Sequence, residues 1–349
     1  MARLRNKLRI LPERLRPWRI LDNRIISIRL VGVTVLAALS TYLVICGVGA
    51  IETYHGKRNA VTSLVERIAP LPAVAANGES ISVRRVRFEA AARYHYAQKK
   101  PLAVTEQETY ALVLKQQQSR LLYEQELRKR GLLPTEQQIT AELDALYKQA
   151  ACLKEDGSSL TADSSCKGDL ATGRDRLALF LTMQYGDQVT LTDFRRWTTE
   201  ALYESIIQRS VLSQVEVSHI LIAIPDNASN DVIEQRRKLA ADIKGKITDT
   251  TKFADFAKQY SEDVASRDKG GALGSTSKGS DAPIYSGDFE DAIFTLPVNS
   301  ISDPVRSPYG WHIIQVTKRT GTENLSLAKF TDKLVAESKA KILLPVPVK

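Results

Sequence analysis

The fold of this chain is decided by two apolar stretches that each carry a histidine near the centre. The first reads VSHILI over residues 217–222, and the second reads YGWHII over residues 309–314. Both have the length of a strand and are rich in β-branched and aromatic residues, which suit a pleated, half-buried surface. A histidine in such a strand is commonly a core residue whose ring nitrogens are hydrogen-bonded. The stretches therefore predict two strands that carry His219 and His312.

Three further motifs lie between the two histidine strands. They read YSED over residues 260–263, GGALG over residues 270–274 and FEDAIF over residues 289–294. Together with the histidine strands, this order and spacing resembles a parvulin-type peptidyl-prolyl cis/trans isomerase over residues 214–319. The resemblance implies a domain in which helices wrap a small antiparallel sheet, and it implies isomerase activity.

The resemblance also implies which side chains form the site. The catalytic network of the family corresponds to His219, Asp263, Ser307 and His312. The pocket that holds the proline ring corresponds to Leu273, Tyr285 and Phe289. Rotation about an X-Pro bond breaks no covalent bond, so neither a cofactor nor a metal is expected. The expected partners are unfolded or newly exported polypeptides that contain X-Pro bonds.

The loop before Phe289 departs from the family pattern. Ser275 and Thr276 stand where many members carry an aromatic residue, and the loop over residues 277–283 is longer than usual. The methionine of the family's pocket is absent, and Tyr285 is its nearest counterpart. The alternative to an isomerase is therefore a degenerate parvulin module that binds peptides without catalysis, as a holdase or scaffold.

The net charge of +9 is concentrated at the N-terminus. Residues 1–29 hold nine basic and two acidic side chains, which leaves a net charge of +2 for the other 320 residues. Because the body of the chain is nearly balanced, a nucleic-acid partner is not expected.

An uncharged run of 22 residues follows at positions 30–51. A helix of ~20 apolar residues crosses a bilayer core of ~30 Å, so this run predicts a single transmembrane helix. The positive-inside rule then places residues 1–29 in the cytoplasm and the later domains outside the cytoplasmic membrane, where the translocon or other envelope factors are additional candidate partners. A cleaved signal peptide fits less well, because the run exceeds the usual apolar core. A lipoprotein signal ending at Cys46 also fits less well, because Ile45 is not a small residue.

After a linker at 52–73, residues 74–212 are predicted to form an all-helical module that is entered through a short strand and turn at 74–82. Capping boxes begin helices at Thr105 and Thr135, and Gly131 ends the helix between them. The Asn-Gly-Glu entry and the helix junction before Thr135 resemble the N-terminal domain of SurA-type chaperones, a general plan shared with PrsA-type foldases.

The tail at residues 325–349 is predicted as a C-terminal helix with a Pro-containing end. Positions 325–342 are amphipathic, so one face of this helix needs a partner. The resemblance to SurA-type chaperones implies that the tail returns to the N-terminal module. The predicted architecture is α+β overall: a transmembrane helix, an all-helical chaperone domain, a parvulin domain and a C-terminal helix.

Two cysteines lie outside the apolar run, at Cys152 and Cys166. The residues between them are polar and rich in serine, so the loop can bring its ends together, and an extracytoplasmic location favours oxidation. We expect a disulfide that pins a hairpin of the helical module. Two free thiols are the alternative, whereas a zinc site lacks neighbouring ligands to complete it.

Overall fold

The computed structural model describes most of the chain outside the extreme N-terminus. The described residues are 18–21, 24–55, 59–100, 103–152, 168–279 and 287–345. The helices are α1 (Ile28–Tyr54), α2 (Ala60–Ile68), α3 (Val83–Gln98), α4 (Glu106–Arg130), α5 (Glu136–Ala150), α6 (Leu170–Tyr185), α7 (Leu191–Ile206), α8 (Asn230–Lys246), α9 (Phe253–Tyr260), α10 (Asp288–Thr295) and α11 (Leu327–Ser338). The strands are β1 (Trp18–Leu21), β2 (Arg24–Ser27), β3 (Pro72–Ala76), β4 (Glu79–Ser82), β5 (Gln214–Ala223), β6 (Ala272–Ser277), β7 (Val305–Ser307), β8 (Gly310–Thr320) and β9 (Lys341–Ile342).

The predicted transmembrane helix over residues 30–51 requires a correction. These residues lie in α1, but within the described ranges no helix combines the length and the apolarity that a membrane crossing needs. The prediction of a transmembrane helix at these residues is therefore wrong. The prediction rested on the pattern of residues 30–51 in the sequence alone.

The C-terminal end of α1 packs against α2. A side chain at Gly49 would collide with Val65, so the missing side chain is what allows the two helices to approach closely. The Thr53 hydroxyl, which is buried, donates to the Glu66 carboxylate at 3.3 Å. Glu66 also pairs with Arg87 on α3 at 2.5 Å, so α1, α2 and α3 are linked in series.

The helical region follows the capping signals of the sequence. Thr105 and Thr135 form the predicted capping boxes at the starts of α4 and α5. Gly131 ends α4 in the left-handed conformation with φ of 69°, which glycine adopts without steric cost. These local predictions are confirmed, because each depends only on contacts within one helical turn.

The region over residues 74–212 is not all-helical, which corrects the expected fold, whereas the strand and turn predicted at 74–82 are confirmed. Strands β3 and β4 form a hairpin about Asn77 and Gly78, which both have positive φ, and β9 adds to the other side of β3. The C-terminal helix is also shorter than predicted, because Lys339 turns left-handed with φ of 52° and the following residues become β9. The tail thereby joins the N-terminal region, as the resemblance implied.

The tail completes the main core of the helical region. Phe330 and Leu334 on α11 are buried in a cluster that includes Tyr110 and Leu114 on α4. The Tyr123 hydroxyl of α4 also lies 2.5 Å from the Thr331 hydroxyl. The apolar face of the amphipathic tail is therefore buried against α4.

The isomerase region is built on a four-stranded antiparallel sheet in the order β6-β5-β8-β7. Successive side chains alternate between its two faces. Ile220 and Ile313 are buried on the face covered by α8 and α9, whereas Val217 and Ile314 are buried on the face covered by α10. Both histidines occupy the α10 face, because His219 pairs with Ile314 in the register of β5 and β8.

The chain crosses between the two regions twice, and the two crossings are hydrogen-bonded to each other. The amide of Glu323 donates to Val211 at 2.9 Å, and the amide of Ser213 donates to Glu323 at 2.8 Å. The Glu323 carboxylate accepts from Arg130 on α4 at 3.0 Å and from Lys333 on α11 at 2.8 Å. The sheet is therefore attached to the helical region through a paired connection.

Candidate active site

The two histidines, 93 positions apart in the chain, are in direct contact. Their Nδ1 atoms lie 2.9 Å apart, and both residues are fully buried. In the β5–β8 register Leu221 pairs with His312, so the two imidazoles are diagonal neighbours on one face. Diagonal neighbours on adjacent strands lie within reach of ring side chains. The register of the sheet therefore creates the histidine pair.

Each histidine uses its other ring nitrogen to bind a further polar side chain. His219 Nε2 lies 2.9 Å from Asp263 Oδ2, and His312 Nε2 lies 2.6 Å from Ser307 Oγ. The amide of Tyr309 donates to Ser307 Oγ at 3.1 Å, and the amide of Ala265 donates to Asp263 Oδ1 at 3.1 Å. The structure thus brings together all four residues of the predicted catalytic network, although their roles in catalysis stay predictions.

The positions of the protons follow from the ionisation of Asp263. Burial alone would raise the pKa of Asp263, but hydrogen bonds from Ser266, His219 and the Ala265 amide outweigh it, and the pKa lies below its usual range. The carboxylate is therefore an acceptor, and His219 must donate to it from Nε2. His219 Nδ1 then accepts from His312 Nδ1, and His312 Nε2 accepts the Ser307 hydroxyl proton. The hydrogen bonds all point from Ser307 towards Asp263.

Both histidines are neutral in this arrangement. Burial lowers the pKa of His312 to about 3, and the positive charges of His219, when protonated, and of Arg306 act in the same direction. Burial also lowers the pKa of His219, although its hydrogen bond and charge interaction with Asp263 oppose the shift. A neutral pair can donate and accept in sequence, whereas a protonated ring would present two donors and break the chain of bonds.

Phe289 forms the apolar side of the network. Its ring is fully buried and stands edge-on to both imidazoles, with centroid distances of 4.9 Å to His312 and 6.3 Å to His219. Leu273 on β6 is half-buried and packs against the same apolar cluster. Tyr285, the third residue of the predicted proline pocket, lies outside the described residues. The structure therefore places Phe289 against both histidines and Leu273 against the apolar cluster that contains Phe289.

Arg319 holds the helix that carries Phe289. Its guanidinium donates to three carbonyl groups at the C-terminal end of α10: Phe294 at 2.8 Å, Leu296 at 2.9 Å and Ile293 at 3.0 Å. These carbonyls lack partners within the helix, and a cation is favourable at a helix C-terminus. Arg319 therefore fixes α10 against β8 and contributes to the position of Phe289.

Replacing Arg319 with methionine should lower the free energy of unfolding of the isomerase region by about 2–3 kcal/mol, because three charge-assisted hydrogen bonds to buried carbonyls are lost. Urea unfolding measures this change. Lys318→Met on the same strand is the control, since Lys318 is exposed and forms an ion pair with Glu216 on the surface. The control should change stability by less than about 0.5 kcal/mol. Equal effects of the two substitutions would contradict the role of Arg319.

Ser266 is the polar residue that the sequence reading missed. Its hydroxyl donates to Asp263 Oδ2 and lies 3.2 Å from His219 Nε2, and only 2% of the residue is exposed. The three-residue spacing from Asp263 was visible in the sequence. A serine in a loop is a common turn residue, so the spacing alone did not single it out.

Of the two cysteines with a predicted disulfide, only Cys152 is described. It lies two residues beyond the end of α5 and is disulfide-bonded. Cys166 lies outside the described residues, so the pairing of the two cysteines stays a prediction.

Comparison with known proteins identifies the isomerase region. Residues 201–320 match the model of the PPIC-type PPIase domain family. Chaperone SurA of Methylobacillus flagellatus is 44% identical over 109 residues, which are 31% of this chain and 23% of that protein. Foldase protein PrsA 4 of Bacillus cereus is 34% identical over 126 residues, which are 36% of this chain and 39% of that protein. The chain thus spans less than half the length of either relative.

A solved structure is similar to part of the chain. NmPin, the parvulin of Nitrosopumilus maritimus, is 34% identical, and the match covers 30% of this chain and 97% of that chain with a TM-score of 0.23. The predicted parvulin domain is confirmed by the family match. Residues 201–320 are a PPIC-type parvulin domain, and the chain that contains them is similar to the SurA and PrsA chaperones.

Proposed function

We propose that this protein is a peptidyl-prolyl cis/trans isomerase and chaperone that assists the folding of exported polypeptides outside the cytoplasm. The observation that carries the proposal is the neutral histidine pair, which is sealed from solvent and connects to one partly exposed carboxylate. The side chain of Asp263 is 20% exposed, whereas that of His219 is 1% exposed. The disulfide at Cys152 supports the location, because disulfides persist in oxidising compartments.

The chemistry of the reaction suits this arrangement. The barrier to X-Pro rotation arises from amide conjugation and is ~18–20 kcal/mol. An isomerase must bind the twisted amide more tightly than either planar form. Burial of the proline ring against the half-buried Leu273, which packs on the cluster that contains Phe289, would hold one side of the bond while the other side rotates. The histidines are too deeply buried to exchange protons with a substrate, so their task is to orient Asp263.

The Asp263 carboxylate would act electrostatically. Conjugation places partial negative charge on the carbonyl oxygen of a planar amide, and this charge falls when the bond twists. A carboxylate facing that oxygen repels the planar form more than the twisted form. Such differential interaction lowers the barrier without a covalent intermediate.

The helical region carries a groove that suits the chaperone part of the proposal. The groove has a volume of about 430 Å³ and lies between α5 and α7. Its lining includes Leu146, Phe194, Trp197 and Leu202, with Glu142 and Arg209 also present. Apolar and aromatic walls with a few polar groups favour binding of exposed apolar segments. The same groove would serve a second candidate function, in which the protein is a holdase that binds unfolded chains without catalysis.

The decisive experiment measures cis-to-trans conversion of an X-Pro peptide by the full-length protein. Asp263→Ala should lower kcat/KM by about tenfold or more, which corresponds to ~1.4 kcal/mol of transition-state stabilisation. Asp268→Ala is the matched control, because Asp268 is 80% exposed in the same loop and pairs with Arg267. The control should retain the wild-type rate.

The holdase function is tested in the same preparations by suppression of aggregation of an unfolded model protein. A wild-type protein that suppresses aggregation but leaves the peptide at its spontaneous rate would reject the isomerase proposal in favour of the holdase. A protein that does neither would reject both functions.

A further inference from the structure

Ser266 occupies a fixed position beside the network. It lies immediately before a 3-10 turn at Arg267–Lys269, and its carbonyl accepts from the amides of Lys269 and Gly271, both at 2.9 Å. Gly271 in turn approaches β5 so closely that a side chain there would collide with the carbonyl of His219. The backbone that carries Ser266 is therefore locked against the strand that carries His219.

The Ser266 hydroxyl contacts both the Asp263 carboxylate and the His219 ring, which also contact each other. It donates to Asp263 Oδ2, and its oxygen lies 3.2 Å from His219 Nε2, which itself lies 2.9 Å from the same carboxylate oxygen. Because Ser266 is almost wholly buried, water cannot readily replace its hydroxyl. One oxygen of Asp263 thus receives two donors that come from different segments of the chain.

We infer that Ser266 is a positioning residue that acts through Asp263: its hydroxyl holds the carboxylate against His219 and thereby sets the direction of every hydrogen bond in the network. The inference rests on the proposed function and concerns the same site. Without the hydroxyl, the partly exposed carboxylate is free to turn towards water. The buried Nε2–H of His219 would then lose its acceptor, which is a costly state for a buried donor.

The inference predicts a change in pH dependence as well as in rate. Hydrogen bonds to the charged form hold the pKa of Asp263 down, and Ser266 provides one of them. The other ionisable groups around Asp263 are two buried neutral histidines, one arginine whose guanidinium donates to backbone carbonyls, and two ion pairs. They are His219 and His312 in the core, Arg306 behind His312, the Arg236–Glu262 pair at 2.8 Å and the Arg267–Asp268 pair at 3.2 Å. Removal of the Ser266 hydroxyl should therefore raise the pKa of Asp263.

The test compares Ser266→Ala, Ser266→Thr and Ser261→Ala in the full-length protein. Ser261 is the matched control, because it is a buried serine in the same loop whose hydroxyl accepts from the amides of Leu221 and Asp263 and does not contact the carboxylate. The readouts are the acid limb of kcat/KM against pH and the ¹³C carboxyl titration of Asp263, with circular dichroism as the check of folding.

Ser266→Ala should move the acid limb and the Asp263 titration to higher pH by about one unit, a tenfold change in the ionisation constant. Ser266→Thr keeps a hydroxyl, so its acid limb and its Asp263 titration should lie close to those of the wild type. Ser261→Ala should change neither the acid limb nor the Asp263 titration, even where it lowers stability. A folded Ser266→Ala protein whose Asp263 titrates as in wild type would overturn the inference. If the wild type proves inactive, the proposed function fails, while the carboxyl titration still decides the role of Ser266.

Discussion

Replacing Phe289 with alanine should lower the free energy of unfolding of the parvulin domain by about 3–5 kcal/mol and abolish its isomerase activity. The ring is fully buried, so its loss removes apolar burial and leaves a cavity that the surrounding residues fill only in part. The cavity would open directly onto the histidine pair, because the ring stands against both imidazoles. The substitution also removes a wall of the predicted proline pocket.

Phe253→Ala is the matched control for this prediction. Phe253 begins α9, is 1% exposed and packs on the opposite face of the same sheet, away from the histidines. The two substitutions should cost similar stability in urea unfolding. Only Phe289→Ala should lose activity when rates are compared at conditions where both proteins remain folded. Equal activity per folded molecule in the two variants would contradict a role for Phe289 in the active site.

The second large effect is acid destabilisation by the buried histidine pair. An unfolded histidine binds a proton as pH falls below about 6.5, whereas His312 in the folded protein stays neutral down to a pKa of about 3. Between these values the unfolded state binds more protons than the folded state, so stability rises with pH and falls on acidification. His312 alone should lower stability by about 1.4 kcal/mol per pH unit in this window. The lowered pKa of His219 acts in the same direction.

This prediction is tested by urea unfolding between pH 7.5 and pH 4.5, followed by the fluorescence of Trp311. The chain has three tryptophans, so replacement of Trp18 and Trp197 by phenylalanine makes Trp311 the sole fluorophore. A His312→Gln variant should be less stable than its parent at pH 7.5, and the difference should narrow as pH falls, because glutamine does not titrate. Parallel stability curves for the two proteins would contradict the neutral, buried assignment of His312.

The sequence by itself determined the elements that depend on neighbouring residues. The apolar histidine stretches became β5 and β8, and the capping boxes at Thr105 and Thr135 began α4 and α5. The order of the short motifs also predicted the parvulin domain that the family match confirms. These predictions succeeded because periodicity, capping and motif order depend on residues that are close together in the sequence.

Only the tertiary structure decided which side chains meet. The register of β5 against β8 brings His219 to His312. The close approach of Gly271 to the His219 carbonyl fixes the loop in which Ser266 donates to Asp263. The return of β9 to β3 ended the C-terminal helix early, and no helix among the described residues is long and apolar enough to be the transmembrane helix predicted at residues 30–51. Such outcomes depend on pairing between distant segments or on properties of a whole helix, and a local pattern of residues specifies neither.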